Sequence, residues 1–293
     1  MSERVSFCGL ELRHRIVNGS GTFDALAARR VFGPALQARF PFSAYVSKTI
    51  TVAPRAGNPP PRLWELGGGL INSIGLPNKG LERYLAEDLS ELARLPVPLI
   101  VNVMGFSPEE VAALVTAVAQ RVEVAALELN VSCPNVESGM VMGADPREVA
   151  ALLERVRPCS QKPLIVKLTP NATDVGAVAR AAQEAGADAV SLINTLRGMA
   201  LHPGGGGAWL GGTTGGVSGP CVRAIALAQV HEVCARVTIP VIAMGGVGSG
   251  RDALDLLEVG ATLVAVGTES FRDPLAGERI ASELAALRRS ARS

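Results

Sequence analysis

Five side chains that can donate or accept hydrogen bonds occupy one recurring place in this sequence. Lys48, Asn102, Asn130, Lys167 and Asn194 each fall at or near the C-terminal end of an apolar run. A lysine set among Val, Leu and Ile is costly to keep charged unless an anion or a hydrogen-bond acceptor meets it, so Lys48 and Lys167 imply an electron-rich ligand. Taken singly, any of the five reads equally well as a strand-end residue bonded to a loop. Five at equivalent places read as a site. Gly245-Gly246 and Gly267-Thr268 close two later apolar runs, and Gly215-Gly216 with Ser218-Gly219 precedes a helical stretch. A Gly-Gly pair alone is more often a tight turn, but small residues at adjacent strand ends let backbone N–H groups approach phosphate oxygens. The stretch ELNVSCPNVESG (128–139) adds a thiol, Cys133, three residues after Asn130. In isolation that cysteine reads as a buried thiol capping a strand, because free cysteine is commonly an inert core residue.

The elements that must position these groups are legible as eight apolar, β-rich runs: 16–21, 45–50, 99–104, 125–132, 164–169, 189–194, 241–246 and 263–268. Near-continuous apolar strands are buried on both faces, as in a parallel sheet. Helical patterns separate several of them. SPEEVAALVTAVAQ opens with Ser107 as N-cap, Pro108 at the first helical position and Glu110 at the capping-box position. Apolar residues at helical spacing recur in 145–156, 174–186, 221–237, 249–260 and 275–289. Two βα units, LIVKLT…AQEAGADAVSLINT and VIAMGG…LLEVGATLVAVGT, resemble each other. The expected fold is α/β, a (β/α)8 barrel of one domain over residues 1–293, whose strand C-termini form the ligand-binding face. Two Gly/Pro-rich interruptions, 51–78 and 196–220, are longer than ordinary connections and read as functional loops.

Composition narrows the function class. Of 293 residues 48% are hydrophobic, and the formal net charge is +1 with both signs scattered, so no basic stripe suits nucleic-acid phosphates or an anionic membrane. No apolar run approaches the ~20 residues needed to span a bilayer, and MSERVSFCGLELRHR is too polar for a signal peptide, which points to a cytoplasmic protein. Cys8, Cys133, Cys159, Cys221 and Cys234 are dispersed, as are His14, His202 and His231, so spacing suggests no metal or iron–sulfur site. No G-x-G-x-x-G opens a helix after a strand, so no second dinucleotide site is expected.

SGTF (20–23), SKTI (47–50), GNPPPRLWE (57–65), NSIGLPN (72–78), NVSCPNV (130–136), VKLTPN (166–171), INTLRGMA (193–200), GGVSGP (215–220), AMGGV (243–247) and AVGTESFRDP (265–274) together resemble dihydroorotate dehydrogenase, almost end to end. The resemblance implies oxidation of dihydroorotate to orotate in pyrimidine synthesis, with FMN in the mouth of the barrel. It makes Ser20, Lys48, Thr49, Asn102, Asn130, Lys167, Ile193, Gly219, Gly245, Gly246, Gly267 and Thr268 flavin contacts. It makes Lys48, Asn72, Ser73, Ile74, Gly75, Leu76, Asn130, Asn135, Asn194 and Thr195 substrate contacts, and Cys133 the general base. A planar ring bearing an imide and a carboxylate does call for amides that both donate and accept, and for a cation. Cysteine rather than serine at the base position resembles the soluble class, and NVESGMVMGADPREV resembles its NAD-linked branch. That branch implies a homodimer working with an iron–sulfur/FAD electron-transfer subunit; the fumarate-linked homodimer is the other soluble branch. After INTLRGMA the chain departs from the family pattern, reading LHPGGGGAWLGG, with His202 and a glycine run where an acidic residue and a basic stretch are expected. A related dihydropyrimidine oxidoreductase, a sugar-phosphate isomerase barrel and a catalytically inert phosphate-binding barrel are the alternatives; bound flavin excludes the isomerase and turnover excludes the inert binder.

Overall fold

The computed structural model describes residues 4–132 and 142–291. Among the described residues fourteen strands lie in three sheets: β1 (Val5–Phe7), β2 (Leu10–Leu12), β3 (Ile16–Asn18), β4 (Tyr45–Val46), β5 (Leu63–Leu66), β6 (Gly69–Asn72), β7 (Leu99–Val103), β8 (Val124–Asn130), β9 (Leu164–Lys167), β10 (Ala189–Leu192), β11 (Leu196–Gly198), β12 (Gly215–Ser218), β13 (Val241–Met244) and β14 (Leu263–Val266). The eight apolar runs of the sequence are β3, β4, β7, β8, β9, β10, β13 and β14. All eight form one parallel sheet in chain order, with β14 returning to pair with β3. This is the (β/α)8 arrangement expected from the sequence.

The ladder is incomplete at one seam, between β3 and β4. There Ser43 N–H donates to Ile16 O at 3.0 Å, and a side chain supplies the rest. Asn18, fully buried, donates from Nδ2 to Val46 O and accepts from Val46 N–H at Oδ1, both at 2.8 Å. Its amide stands in for a peptide group and closes the ring.

Alternation along the strands separates two cores. Val17, Val46, Ile100, Ala126, Ile165 and Ala265 fill the barrel interior, and their neighbours face the surrounding helices. The first strand is not near Ile16, as the sequence suggested. The hairpin of β1 and β2 precedes it and presses Val5, Phe7 and Leu12 against the interior cluster, stoppering the N-terminal end. The opposite end stays available for polar side chains.

The expected helices form at Pro108–Ala119, Pro146–Val156, Val175–Glu184, Arg223–Cys234, Gly250–Glu258 and Ala276–Ser290. Ser107 caps the first by accepting from Glu110 N–H at 3.3 Å, whereas the Glu110 carboxylate reaches Phe106 N–H instead of Ser107 N–H. The capping box is therefore closed one residue early. Among the described residues, no helix is long and apolar enough to cross a membrane.

The two long interruptions are not merely loops. Their segments pair as an antiparallel sheet of order β11-β12-β6-β5, with Gly216 opposite Asn72. Trp209 locks this sheet, donating from Nε1 to Leu63 O at 3.2 Å and stacking on Trp64 at 4.8 Å between ring centroids. His202 also packs on Trp209, accepts from Gly204 N–H at Nδ1, and exchanges backbone bonds with Gly205 and Gly207. The glycine run is thus folded tightly around His202.

Candidate active site

The site begins with the side chains that alternation turns into the upper barrel. Ile100 and Ile165 lie in the interior cluster, so Asn102 and Lys167, two residues further on, point the same way one level higher. Both are buried, Asn102 completely and Lys167 to 6% exposure. Asn130 is the register partner of Lys167 across β8 and β9, and Ser132 Oγ donates to Lys167 O at 2.9 Å. Among the described residues the Lys167 amine has no hydrogen-bond partner.

Glu128, 2% exposed, is a further member of this level that sequence reasoning missed. One carboxylate oxygen accepts from Asn102 Nδ2 at 2.5 Å and the other from Ser191 Oγ at 2.7 Å. Ser191 lies on β10, two strands from Glu128, so the carboxylate spans the barrel interior. A glutamate between Leu127 and Leu129 in an otherwise apolar run was the available signal.

At the seam, Ser20 Oγ donates to Ser47 O at 2.8 Å and lies 3.4 Å from Thr49 Oγ1, so the residues that follow β3 and β4 form one rim. Lys48 belongs to that rim and is exposed, unlike Ser47 and Thr49 on either side. The expectation of a lysine enclosed by apolar residues is therefore right for Lys167 and wrong for Lys48, because β4 ends at Val46 and the chain has turned outward. Partial desolvation lowers the Lys48 pKa, Asp24 opposes that shift and Arg62 reinforces it. Arg62 comes from the segment leading into β5.

On the far rim, Asn194 Nδ2 lies 3.5 Å from Asn130 Oδ1, and Asn194 Oδ1 accepts from Thr195 N–H at 2.9 Å. A Cβ on Gly216 would lie 1.9 Å from Thr195 Oγ1, and Asn72 Nδ2 donates to Gly216 O at 3.2 Å. The glycine thus brings Thr195 and Asn72 to the same strand. Ser73 accepts at Oγ from Asn58, Ile74 O accepts from Asn58 N–H, and Gly75 and Leu76 both have positive φ, +74° and +56°. Residues 72–76 therefore form a tight turn packed on Asn58. Asn135 and Cys133 lie outside the described residues.

The glycine-rich strand ends converge. A Cβ on Gly219, at φ +99°, would reach within 3.5 Å of Thr268 Cγ2, and Thr268 Oγ1 donates to Ser218 Oγ at 2.9 Å. Gly245 and Gly246, both at positive φ, pack on Ile193 and on Arg223 respectively. Their glycines are demanded by the fold itself. Gly267 differs: φ is −110°, and a side chain there would meet nothing closer than Thr22 Cγ2 at 3.7 Å. No protein contact requires the missing side chain, which leaves room for a ligand against the backbone.

Two observations fit a phosphorylated ring cofactor. One is the space at Gly267. The other is Asn102 Oδ1, buried and without a partner among the described residues, an expensive state for an acceptor unless a ligand N–H meets it. The buried Lys167 amine, also facing the upper barrel interior, adds a donor to that acceptor, the two kinds of group an imide needs.

Comparison with known proteins identifies the family. The family model described as dihydroorotate dehydrogenase matches residues 3–287. A protein of Pelobacter propionicus named dihydroorotate dehydrogenase B (NAD(+)), catalytic subunit, is 44% identical over 278 residues, covering 94% of this chain and 90% of its own length. Proteins of the same name from Geobacter metallireducens and Geobacter sulfurreducens are each 42% identical, each alignment covering 96% of this chain and 91% of the relative.

Proposed function

Because the chain belongs to the dihydroorotate dehydrogenase family, we propose that the upper barrel holds FMN and dihydroorotate together, with Cys133 as the general base. The protein oxidises dihydroorotate to orotate in pyrimidine biosynthesis, and it is FMN-dependent. The observation that carries the site assignment is a buried acceptor, Asn102 Oδ1, without a hydrogen-bond partner among the described residues, in an upper barrel that also buries the Lys167 side chain. When bound, FMN supplies the two-electron acceptor.

The chain's own residues do the rest. Lys167 and Asn102 orient the cofactor ring, with Ser20, Thr49, Asn130 and Ile193 around it. Backbone groups at Gly219, Gly245, Gly246, Gly267 and Thr268 receive its phosphate: the fold excludes side chains at the first three and leaves open space at Gly267. Lys48, exposed at the rim, carries the cation that meets the substrate carboxylate and also borders the cofactor. Asn72, Asn130, Asn135, Asn194 and Thr195 hold the substrate ring, with the Ser73–Leu76 turn closing over it. Oxidation across a C–C bond requires one carbon to lose a proton, and the Cys133 thiolate takes that proton.

The relatives are named as catalytic subunits of an NAD(+) enzyme, which implies a separate electron-transfer subunit. We assign that subunit an iron–sulfur cluster and FAD, make this chain the homodimeric catalytic core, and give the whole a cytoplasmic location. Cys133→Ala tests the base. It is expected to keep FMN and to lose 10²–10⁴-fold in the rate of substrate-driven flavin bleaching, the usual effect of removing a general base, while Cys159→Ala stays near the native rate. Equal rates for the two variants would remove Cys133 from the mechanism.

A further inference from the structure

Glu128 takes no direct part in the proposed reaction, yet among the described residues it is the hydrogen-bond partner of the Asn102 side chain. A carboxylate oxygen offers lone pairs alone, so the Asn102 nitrogen must face it; the flipped amide would set two acceptors 2.5 Å apart. Oδ1, on the other arm of the same planar amide, is thereby turned away from Glu128. Among the described residues it is left buried and unpaired. The second carboxylate oxygen is engaged by Ser191 Oγ at 2.7 Å, which ties Glu128 to β10 and prevents it from swinging free. The chain β10–Glu128–Asn102 therefore reads as a device that fixes an amide orientation.

We infer that Glu128 is a positioning residue that locks the Asn102 amide with Oδ1 as an acceptor for a ligand N–H, selecting a ring whose imide nitrogen carries a proton. The inference rests on the proposed flavin role of Asn102. Oxidised isoalloxazine has one such group, N3–H, flanked by two carbonyls, which suits a buried acceptor in a barrel that also buries the Lys167 donor. Asn102 is fully buried, whereas Asn130 and Asn194 are only partly so; the deeper amide belongs with the cofactor rather than with the exchanging substrate.

The test compares binding of FMN and N3-methyl-FMN to the flavin-stripped full chain by fluorescence quenching, with no dihydroorotate present. The ratio of the two affinities reports the N3–H contact. Glu128→Gln, uncharged but nearly isosteric, permits either amide orientation and is expected to lower that ratio about tenfold, the worth of one hydrogen bond at a buried acceptor. Asn102→Ala should lower it similarly, and adding Glu128→Gln to Asn102→Ala should change it no further, because Glu128 acts through Asn102. A ratio unchanged in Glu128→Gln, or lowered equally with and without Asn102, overturns the inference. If Glu128→Gln does not fold, the native chain labelled with 15N-asparagine decides. The Asn102 NH2 protons, identified by their loss in Asn102→Ala, should be protected from exchange with D2O both with and without FMN, because one of them is held by Glu128; exchange as fast as that of an exposed amide would overturn the lock. Failure of the native chain to take up FMN would overturn the flavin role as well, whereas uptake with a flat ratio overturns this inference alone.

Discussion

Replacing Asn18 by leucine should open the barrel at its one side-chain-bridged seam. Tyr45 and Ser47 direct their N–H groups to Pro98 and Ile100 across β7, so Val46 between them faces β3 with both its N–H and its C=O. Asn18 satisfies both, at 2.8 Å each. Gly19 O, the third partner of the Asn18 amide, keeps its bonds from Thr22 and is not orphaned. Leucine fills a similar volume but leaves two backbone groups unpaired at a residue only 3% exposed. At ~1–3 kcal/mol for each buried unsatisfied group, the loss is about 2–6 kcal/mol, a large part of the 5–15 kcal/mol typical of a folded protein. Urea unfolding of the flavin-stripped native and Asn18→Leu chains, followed by tryptophan fluorescence and circular dichroism, measures it. FMN should also be retained less well, since Ser20 and Ser47 form the rim directly above the seam. A loss below ~1 kcal/mol would refute the view that the Asn18 amide completes the ring.

Other outcomes follow from the same residues. Burial, with Arg13 adding to it, lowers the His14 pKa to about 4, and Ile16 N–H donates to His14 Nδ1, which requires that nitrogen to be unprotonated. The unfolded chain then binds more protons than the folded one between about pH 6.5 and 4, so stability falls with acidification across that window, by up to roughly 3 kcal/mol at 1.36 kcal/mol per unit. His14→Asn should flatten that part of the stability–pH curve, and an unchanged slope would count against it. Flavin reduced in the isolated chain should be reoxidised by artificial acceptors but poorly by NAD, and an added iron–sulfur flavoprotein subunit should switch NAD reduction on. Fast NAD reduction by the lone chain would contradict the need for a second subunit.

The barrel strands were legible because each is buried on both faces and bounded by turn residues, so hydrophobicity alone marks them. The hairpin at Val5–Leu12 was not, since three-residue strands carry too little pattern and its apolar residues matter only once the barrel interior exists to receive them. Strands β5, β6, β11 and β12 were hidden for another reason: Asn72 and Gly216 pair across about 145 residues of chain, and Gly-rich strands show no alternation. Lys167, Asn102, Asn130 and Asn194 could be picked out as polar groups ending apolar runs. Lys48 followed the same rule in sequence yet emerged exposed, because β4 is two residues long and its run continues as a turn. Glu128 and Asn18 were passed over although each is a polar residue inside an apolar run. Their partners lie on other strands, and only the closed barrel reveals that each is satisfied by them.

The most direct test is an absorption spectrum of the purified chain, recorded without oxygen before and after dihydroorotate is added. The chain should carry FMN, or take it up when supplied, and the flavin band in the blue should bleach on addition of substrate. A chain that stays colourless with FMN present, or a flavin band that dihydroorotate leaves unchanged, would contradict the account.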